Sequence, residues 1–241
     1  MRHVPLPRML LALLLTVVAA LTLAPATARA DDPPGWVVEE PGAADGPQAR
    51  RLAVIVSGDG GWADLDRDLA ALLQARGVAV VGIDALHYFW TRRTPDQTAA
   101  DIAAVVDSAM TRWGRDEVIL IGFSFGASVL PAIANRLPPD LKGKVVSAAL
   151  LTSYTWANWE IHVGGWFRDE PDDHATDVLP EARALPMPLL CIYGTDETAK
   201  SVCPLLADVA TVESRPGGHH FDKNYPALAD SILRHADGNG R

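Results

Sequence analysis

The stretch Glu117-Val118-Ile119-Leu120-Ile121-Gly122-Phe123-Ser124-Phe125-Gly126-Ala127 constrains this chain more than any other. A β-branched apolar run leads into Gly-x-Ser-x-Gly, and helix-forming residues follow over 127–136. The order reads as strand, sharp turn, helix. Such a turn strains the backbone of its central residue, so the flanking positions must be small. Gly122 and Gly126 let the strand and helix backbones come close, and the Ser124 hydroxyl points out of the sheet. The five-residue pattern is weak alone, and its flanking strand and helix give it meaning.

The rest of the chain supplies matching elements. Residues 51–57 have the length and β-branching of a buried strand, and Gly58-Asp59-Gly60-Gly61-Trp62 turns out of it. Leu65, Leu69, Leu72 and Leu73 mark one face of a helix that stops at Gly77, and 78–83 is a second strand. Thr94-Pro95-Asp96-Gln97 is a capping box with proline at the first helical position. Strands are expected at 144–151, 188–193 and 211–214, a short helix or turn at 199–207, and a closing helix at 225–235. Residues 152–185 read as irregular. Strands alternating with helices predict the α/β class, a mostly parallel sheet with helices on both faces. Right-handed crossovers put the strand C-termini on one edge, where ligands bind.

Residues 1–30 read as a secretory signal peptide. Arg2, His3 and Arg8 precede an apolar run over 9–23, and Ala28-Arg29-Ala30 is a cleavage site. The run is short for a spanning helix. Cleavage after Ala30 gives an exported, periplasmic chain. It removes Arg2, Arg8 and Arg29 and no acid, so the net charge falls from −9 to −12. An acidic chain argues against direct nucleic-acid binding and suits a cationic substrate. Residues 31–50, rich in Pro, Gly and Ala, read as a linker or loosely packed lead-in, and 51–241 as one domain. Cys191 and Cys203 are expected to form a disulfide, which the exported compartment permits.

Ser124 needs a base, and the base needs an orienting acid. In α/β-hydrolases the chain order is Ser, then Asp or Glu, then His. Asp196, just past a strand, is the expected acid, with Glu197 as the reserve. His219 is the expected base because it follows Gly217-Gly218, and His220 is the alternative. Phe125, and Asp59 or Gly60 in the glycine-rich loop, are the expected oxyanion donors. Trp62, Trp156, Trp159 and Trp166 are candidate substrate contacts, beside Tyr154 and Phe167. The alternative for these aromatics is packing of a short cap loop against the sheet. An acidic run follows, Asp169, Glu170, Asp172, Asp173 and Asp177, which could meet a cationic head group. No metal or other cofactor is expected, since no His/Cys/Asp set has ligand spacing and the loop lacks a P-loop ending.

The Ser57–Trp62 loop, the Gly122–Ala127 elbow, the cysteine pair around Gly194-Thr195-Asp196, and Pro216-Gly217-Gly218-His219-His220-Phe221 together resemble the bacterial virulence protein family VirJ and the C-terminal domain of AcvB. The resemblance covers about residues 50–235. It implies a periplasmic α/β-hydrolase associated with type IV secretion. It also implies hydrolysis of lysyl-phosphatidylglycerol, with an aminoacylated phospholipid of the inner membrane's outer leaflet as partner and secretion-system proteins as further contacts. Two other functions compete: a secretion-associated binding protein on a hydrolase fold, and a general carboxylesterase or dienelactone-type hydrolase.

Overall fold

A computed structural model describes residues 33–43, 45–162 and 170–238. The expected signal peptide and Trp166, Phe167 and Asp169 lie outside the described residues. The elements run in chain order: β1 (Val37–Glu40), β2 (Arg51–Val56), α1 (Asp64–Gln74), β3 (Ala79–Ile83), α2 (Ala85–Tyr88), α3 (Pro95–Trp113), β4 (Glu117–Phe123), α4 (Phe125–Arg136), α5 (Pro139–Lys142) and β5 (Val145–Leu151). After these come β6 (Trp156–Ala157), β7 (Thr176–Asp177), α6 (Val178–Arg183), β8 (Leu189–Gly194), β9 (Thr211–Arg215) and α7 (Tyr225–Ala236).

Seven strands form one sheet in the order β1-β3-β2-β4-β5-β8-β9, parallel except for β1. This is the α/β-hydrolase architecture. The central strands β2 and β4 are almost wholly buried because helices cover both faces, which explains their unbroken apolar runs. On one face, α3 and α4 bury Ile102, Val106, Val129 and Ile133 against Val54, Val81 and Leu120. On the other, α1 and α7 bury Leu65, Leu69, Leu228 and Ile232 against Ile55, Ile119 and Ile121. The capping box at the start of α3 forms, with Gln97 N–H on Thr94 Oγ1 at 3.2 Å and Thr94 N–H on Gln97 Oε1 at 3.1 Å.

The lead-in, expected as a linker or loosely packed segment, supplies an edge strand. β1 pairs antiparallel with β3, from Val37 opposite Ile83 to Glu40 opposite Val80. The buried Arg115 guanidinium then gathers the following turn, donating to the carbonyls of Pro41 at 2.9 Å, Ala43 at 2.8 Å, and Ala49. Three carbonyls on the two terminal nitrogens of one buried cation substitute for the apolar period that the segment lacks, while its Nε has no partner. The stretch 152–185, expected as irregular, contains the β6–β7 ribbon and α6.

Asp66 is an exception to the apolar interior. It is 1% exposed, and Oδ2 accepts from Ala63 N–H at 3.1 Å, while Oδ1 has no partner. Burial pushes this carboxyl from 3.8 up to about 7, against the opposing hydrogen bond from Ala63. Between those two values the folded chain holds a proton that the unfolded chain has released. Stability therefore falls as pH rises through that window, by at most about 4 kcal/mol. Asp66→Asn keeps an oxygen for Ala63 and carries no charge. Its melting temperature should decline less between pH 5 and pH 8 than that of the parent. Parallel declines would place the ionisation penalty elsewhere.

Candidate active site

Ser124 sits between β4 and α4 with φ 56° and ψ −116°, a region that non-glycine residues avoid. Close approach on both sides keeps it there. A Cβ on Gly126 would lie 2.1 Å from the Val56 carbonyl oxygen, and one on Gly122 would lie 2.6 Å from the Ala127 Cα. Ser124 N–H donates to Leu151 O at 2.9 Å, and Gly126 N–H donates to Ser57 O at 3.1 Å. These two bonds fix the turn against the neighbouring strands on either side.

Phe125 opens α4, where a helix offers its first amides no internal acceptor. The loop after β2 lies beside it. A Cβ on Gly58 would be 3.5 Å from the Ser124 Cβ, and Gly61 N–H closes a turn onto Gly58 O at 3.0 Å. Asp59 and Gly60 form the tip of that turn. Ser57 Oγ holds its base, accepting from Ala85 N–H at 3.0 Å and donating to Gly58 O at 3.2 Å.

His219 reaches Ser124 from the loop after β9. Its Nε2 is 2.8 Å from Ser124 Oγ, and its Nδ1 is 3.0 Å from both carboxylate oxygens of Glu197. With the proton on Nδ1, Glu197 accepts it and Nε2 is free to accept from the serine hydroxyl. The acid contacting the base is therefore Glu197, not Asp196. Both lie in a 3-10 turn after β8, Thr195–Glu197, where successive side chains point about 120° apart. Only one of the two faces His219. Asp196 is exposed, and its backbone N–H donates to Gly217 O at 3.1 Å. The acid and base loops touch through Gly194, where a Cβ would lie 2.4 Å from Gly218 O. The Cys191–Cys203 disulfide closes the segment carrying Glu197.

The base loop is strained as well. Phe221, Asp222 and Lys223 have φ of 52°, 49° and 61°, three consecutive left-handed residues. Each costs on the order of 1–2 kcal/mol in that region. The Phe221 ring, 2% exposed among Tyr225, Leu228 and Phe123, holds the turn down. His220 is exposed at this turn, with its ring 5.5 Å from Phe123 and 5.6 Å from His219. Partial desolvation, then the neighbouring His219, lower its pKa from 6.5. Its ring makes no hydrogen bond to Ser124, which His219 occupies.

The tryptophans divide. The Trp62 ring packs on β3, where a Cβ on Gly82 would lie 2.4 Å from it. Trp159 is 3% exposed, and its Nε1–H donates to Thr176 Oγ1 at 3.0 Å, making it a core residue. Trp156 reaches the base through Tyr154. It stacks on Tyr154 at 5.3 Å and 17°, and Tyr154 stacks on His219 at 6.2 Å and 20°. Two carboxylates of the acidic run have local partners: Asp172 accepts from His174 N–H at 2.7 Å, and Asp177 caps Leu179 N–H at 3.1 Å.

A family model described as "Bacterial virulence protein (VirJ)" matches residues 50–239. The chain belongs to the VirJ family. Comparison with curated protein sequences returned no match. Among solved structures, this VirJ-family chain is similar to proline iminopeptidase of Mycobacterium smegmatis, at 16% identity and TM-score 0.56, over 84% of this chain and 95% of that one. It is similar to a lipase-esterase related protein of Clostridium acetobutylicum, at 14% identity and TM-score 0.56, over 82% and 98%. It is also similar to the NocB thioesterase domain, solved as a covalent complex with a fluorophosphonate nocardicin G analog, at 18% identity and TM-score 0.54, over 84% and 100%. At such identities the likeness shows the α/β-hydrolase fold and nothing narrower.

The geometry separates the two adjacent acids. Glu197→Gln should slow phosphonylation of Ser124 by a fluorophosphonate at least about a hundredfold, while Asp196→Asn should leave it within about threefold of the parent. The opposite ranking would return the orienting role to Asp196.

Proposed function

We propose that this VirJ-family chain is a serine hydrolase that cleaves an ester by acyl transfer. We further propose that its substrate is the aminoacyl ester of lysyl-phosphatidylglycerol. The observation that carries the first part is the continuous relay of Ser124 Oγ, His219 and Glu197 at 2.8 and 3.0 Å, set at a strained turn. A VirJ chain without catalysis would have no evident use for a strained serine hydrogen-bonded to an oriented imidazole.

In this reading Ser124 Oγ attacks the ester carbonyl as His219 Nε2 takes its proton. Glu197 accepts Nδ1–H throughout and stabilises the imidazolium that forms. The carbonyl oxygen, now an oxyanion, is met by the amides of Phe125 and of Asp59 or Gly60. His219 gives its proton to the departing glycerol oxygen, and the acyl group stays on Ser124. Water, deprotonated by the same nitrogen, then releases the amino acid and restores the serine.

The choice of lipid rests on the family resemblance, and two features support it. The chain is acidic, which favours approach of a dicationic lysyl group. Tyr154 and Trp156 offer half-buried aromatic surface beside the base. A periplasmic location accords with the N-terminal sequence pattern and the disulfide, and no helix among the described residues is long and apolar enough to cross a membrane. The family's link to type IV secretion would then act through the membrane, since removing lysine restores the anionic lipid charge.

The test incubates purified chain 31–241 with vesicles of lysyl-phosphatidylglycerol or plain phosphatidylglycerol and measures free lysine. Lysine should appear from the first alone, and not with Ser124→Ala. Labelling by a fluorophosphonate without lysine release would reject the lipid and keep the hydrolase. Absence of labelling in the folded chain would reject the hydrolase and favour a binding protein.

A further inference from the structure

We propose that Tyr154 is a positioning residue whose ring holds His219 in line during the half of the cycle when Ser124 cannot. The inference rests on the Ser124–His219–Glu197 reading above and adds a residue to it.

The starting observation is where residues 152–154 are tied. Thr152 N–H donates to Ile192 O at 2.8 Å, and Thr152 Oγ1 reaches His219 O at 3.4 Å. Val202 N–H donates to Ser153 O at 3.0 Å, one residue from Cys203 and hence from the bridge that closes the acid loop. Tyr154 itself forms a β-bridge with Ser201, and its N–H donates to Ser128 Oγ at 3.1 Å. Ser128 Oγ in turn lies 3.2 Å from the carbonyl oxygen of Ser124, to which it donates. Three residues thus touch the nucleophile's helix, the acid's loop and the base's loop. Thr152 takes a left-handed φ of 57° to do so.

The side chain at the end of this junction is laid nearly parallel to the imidazole, at 20° and 6.2 Å, with Trp156 stacked behind it at 17°. The Phe123 ring also neighbours His219, tilted at 52° and 5.2 Å away. The imidazole therefore has neighbouring rings from two separate segments. Stacking resists rotation of the ring out of its plane, which Glu197 cannot do alone, because a carboxylate tolerates a range of donor directions.

The need changes through the cycle. In the free enzyme Nε2 is held by Ser124 Oγ at 2.8 Å. Once Ser124 carries the acyl group, that hydroxyl no longer donates, and Nε2 must hold a water in its place. Only Glu197 and the flanking rings then fix the imidazole. Loss of the Tyr154 ring should accordingly harm deacylation more than acylation. A residue that merely packs the fold would slow both steps alike.

Pre-steady-state hydrolysis of p-nitrophenyl acetate by chain 31–241 separates the two steps, and proton NMR of the downfield Nδ1–H of His219, recorded in a Ser124→Ala background where Nε2 has lost its hydroxyl partner, reads the orientation without substrate. Tyr154→Phe should match the parent in both. Tyr154→Leu should keep its burst to within about threefold, lose about tenfold in the steady rate with KM unchanged or lower, and broaden the downfield resonance. Trp156→Leu, which strips only the outer ring, should show the same pattern at smaller amplitude and serves if Tyr154→Leu does not fold. Equal losses in both steps, an unchanged resonance, or a Phe variant as impaired as Leu would overturn the proposal. If the parent hydrolyses no ester, the hydrolase reading falls, while the resonance still decides whether the ring orients His219.

Discussion

The contact on which the rest depends is the one between α4 and β2 at Gly126. A side chain there would meet the Val56 carbonyl at 2.1 Å, so the helix can sit this deep only with glycine. Depth matters because the Gly126 amide then reaches Ser57 O at 3.1 Å. That bond draws the β2 loop to the start of α4, so Gly58 comes to lie beside Ser124. If the helix rose by the width of a methyl group, the proposed oxyanion donors, Phe125 and Asp59 or Gly60, could not meet one oxygen. An oxyanion donor is useful only within about 2.7–3.1 Å of the developing charge.

Strain at Ser124 is matched by strain at the base. Three left-handed residues follow His220, and Thr152 is left-handed beside them. None of these positions is glycine, so the conformation is imposed by the surroundings. Phe221, buried 98% under α7, and the antiparallel pull of the β-bridge at Tyr154 are what impose it. Burying a phenylalanine stabilises by about 2–3 kcal/mol, comparable to the cost of one or two left-handed residues. The cost is therefore carried by the core that α7 and α1 form on that face of the sheet. Packing of the closing helix and placement of the base are one problem in this fold.

Much of this was legible in the residues because the central strands are buried and each catalytic loop follows a strand. Period, caps and glycine pairs located β2, β3, β4, β5, β8 and β9 to within a residue or two, and the order of serine, acid and histidine followed from them. The misses have a common cause. Asp196 and Glu197 are adjacent, and which one faces the imidazole depends on the phase of a single 3-10 turn, which no pattern of apolar residues reports. β1 was hidden because an edge strand needs only one partner and a half-buried face, and its turn is held by Arg115, far along the chain. Trp62 and Trp159 look like ligands in a sequence because an indole's partner, here Gly82 or Thr176, carries no mark of its own.

The choice of glutamate over aspartate also explains why a bridge belongs here. Glu197 has one more rotatable bond than Asp196, so a longer, looser arm orients the imidazole. Such an arm is useful only from a fixed base. The 3-10 turn bearing it is exposed at Thr195 and Asp196 and has little apolar packing of its own. Cys191 lies on β8 deep in the sheet, and Cys203, equally buried, begins the next short helix. Joining them pins both ends of the turn to the core and removes about 3 kcal/mol of loop freedom from the unfolded chain. The sheet thus fixes where the acid starts, the bridge fixes the segment it stands on, and the rings around His219 fix where it must end.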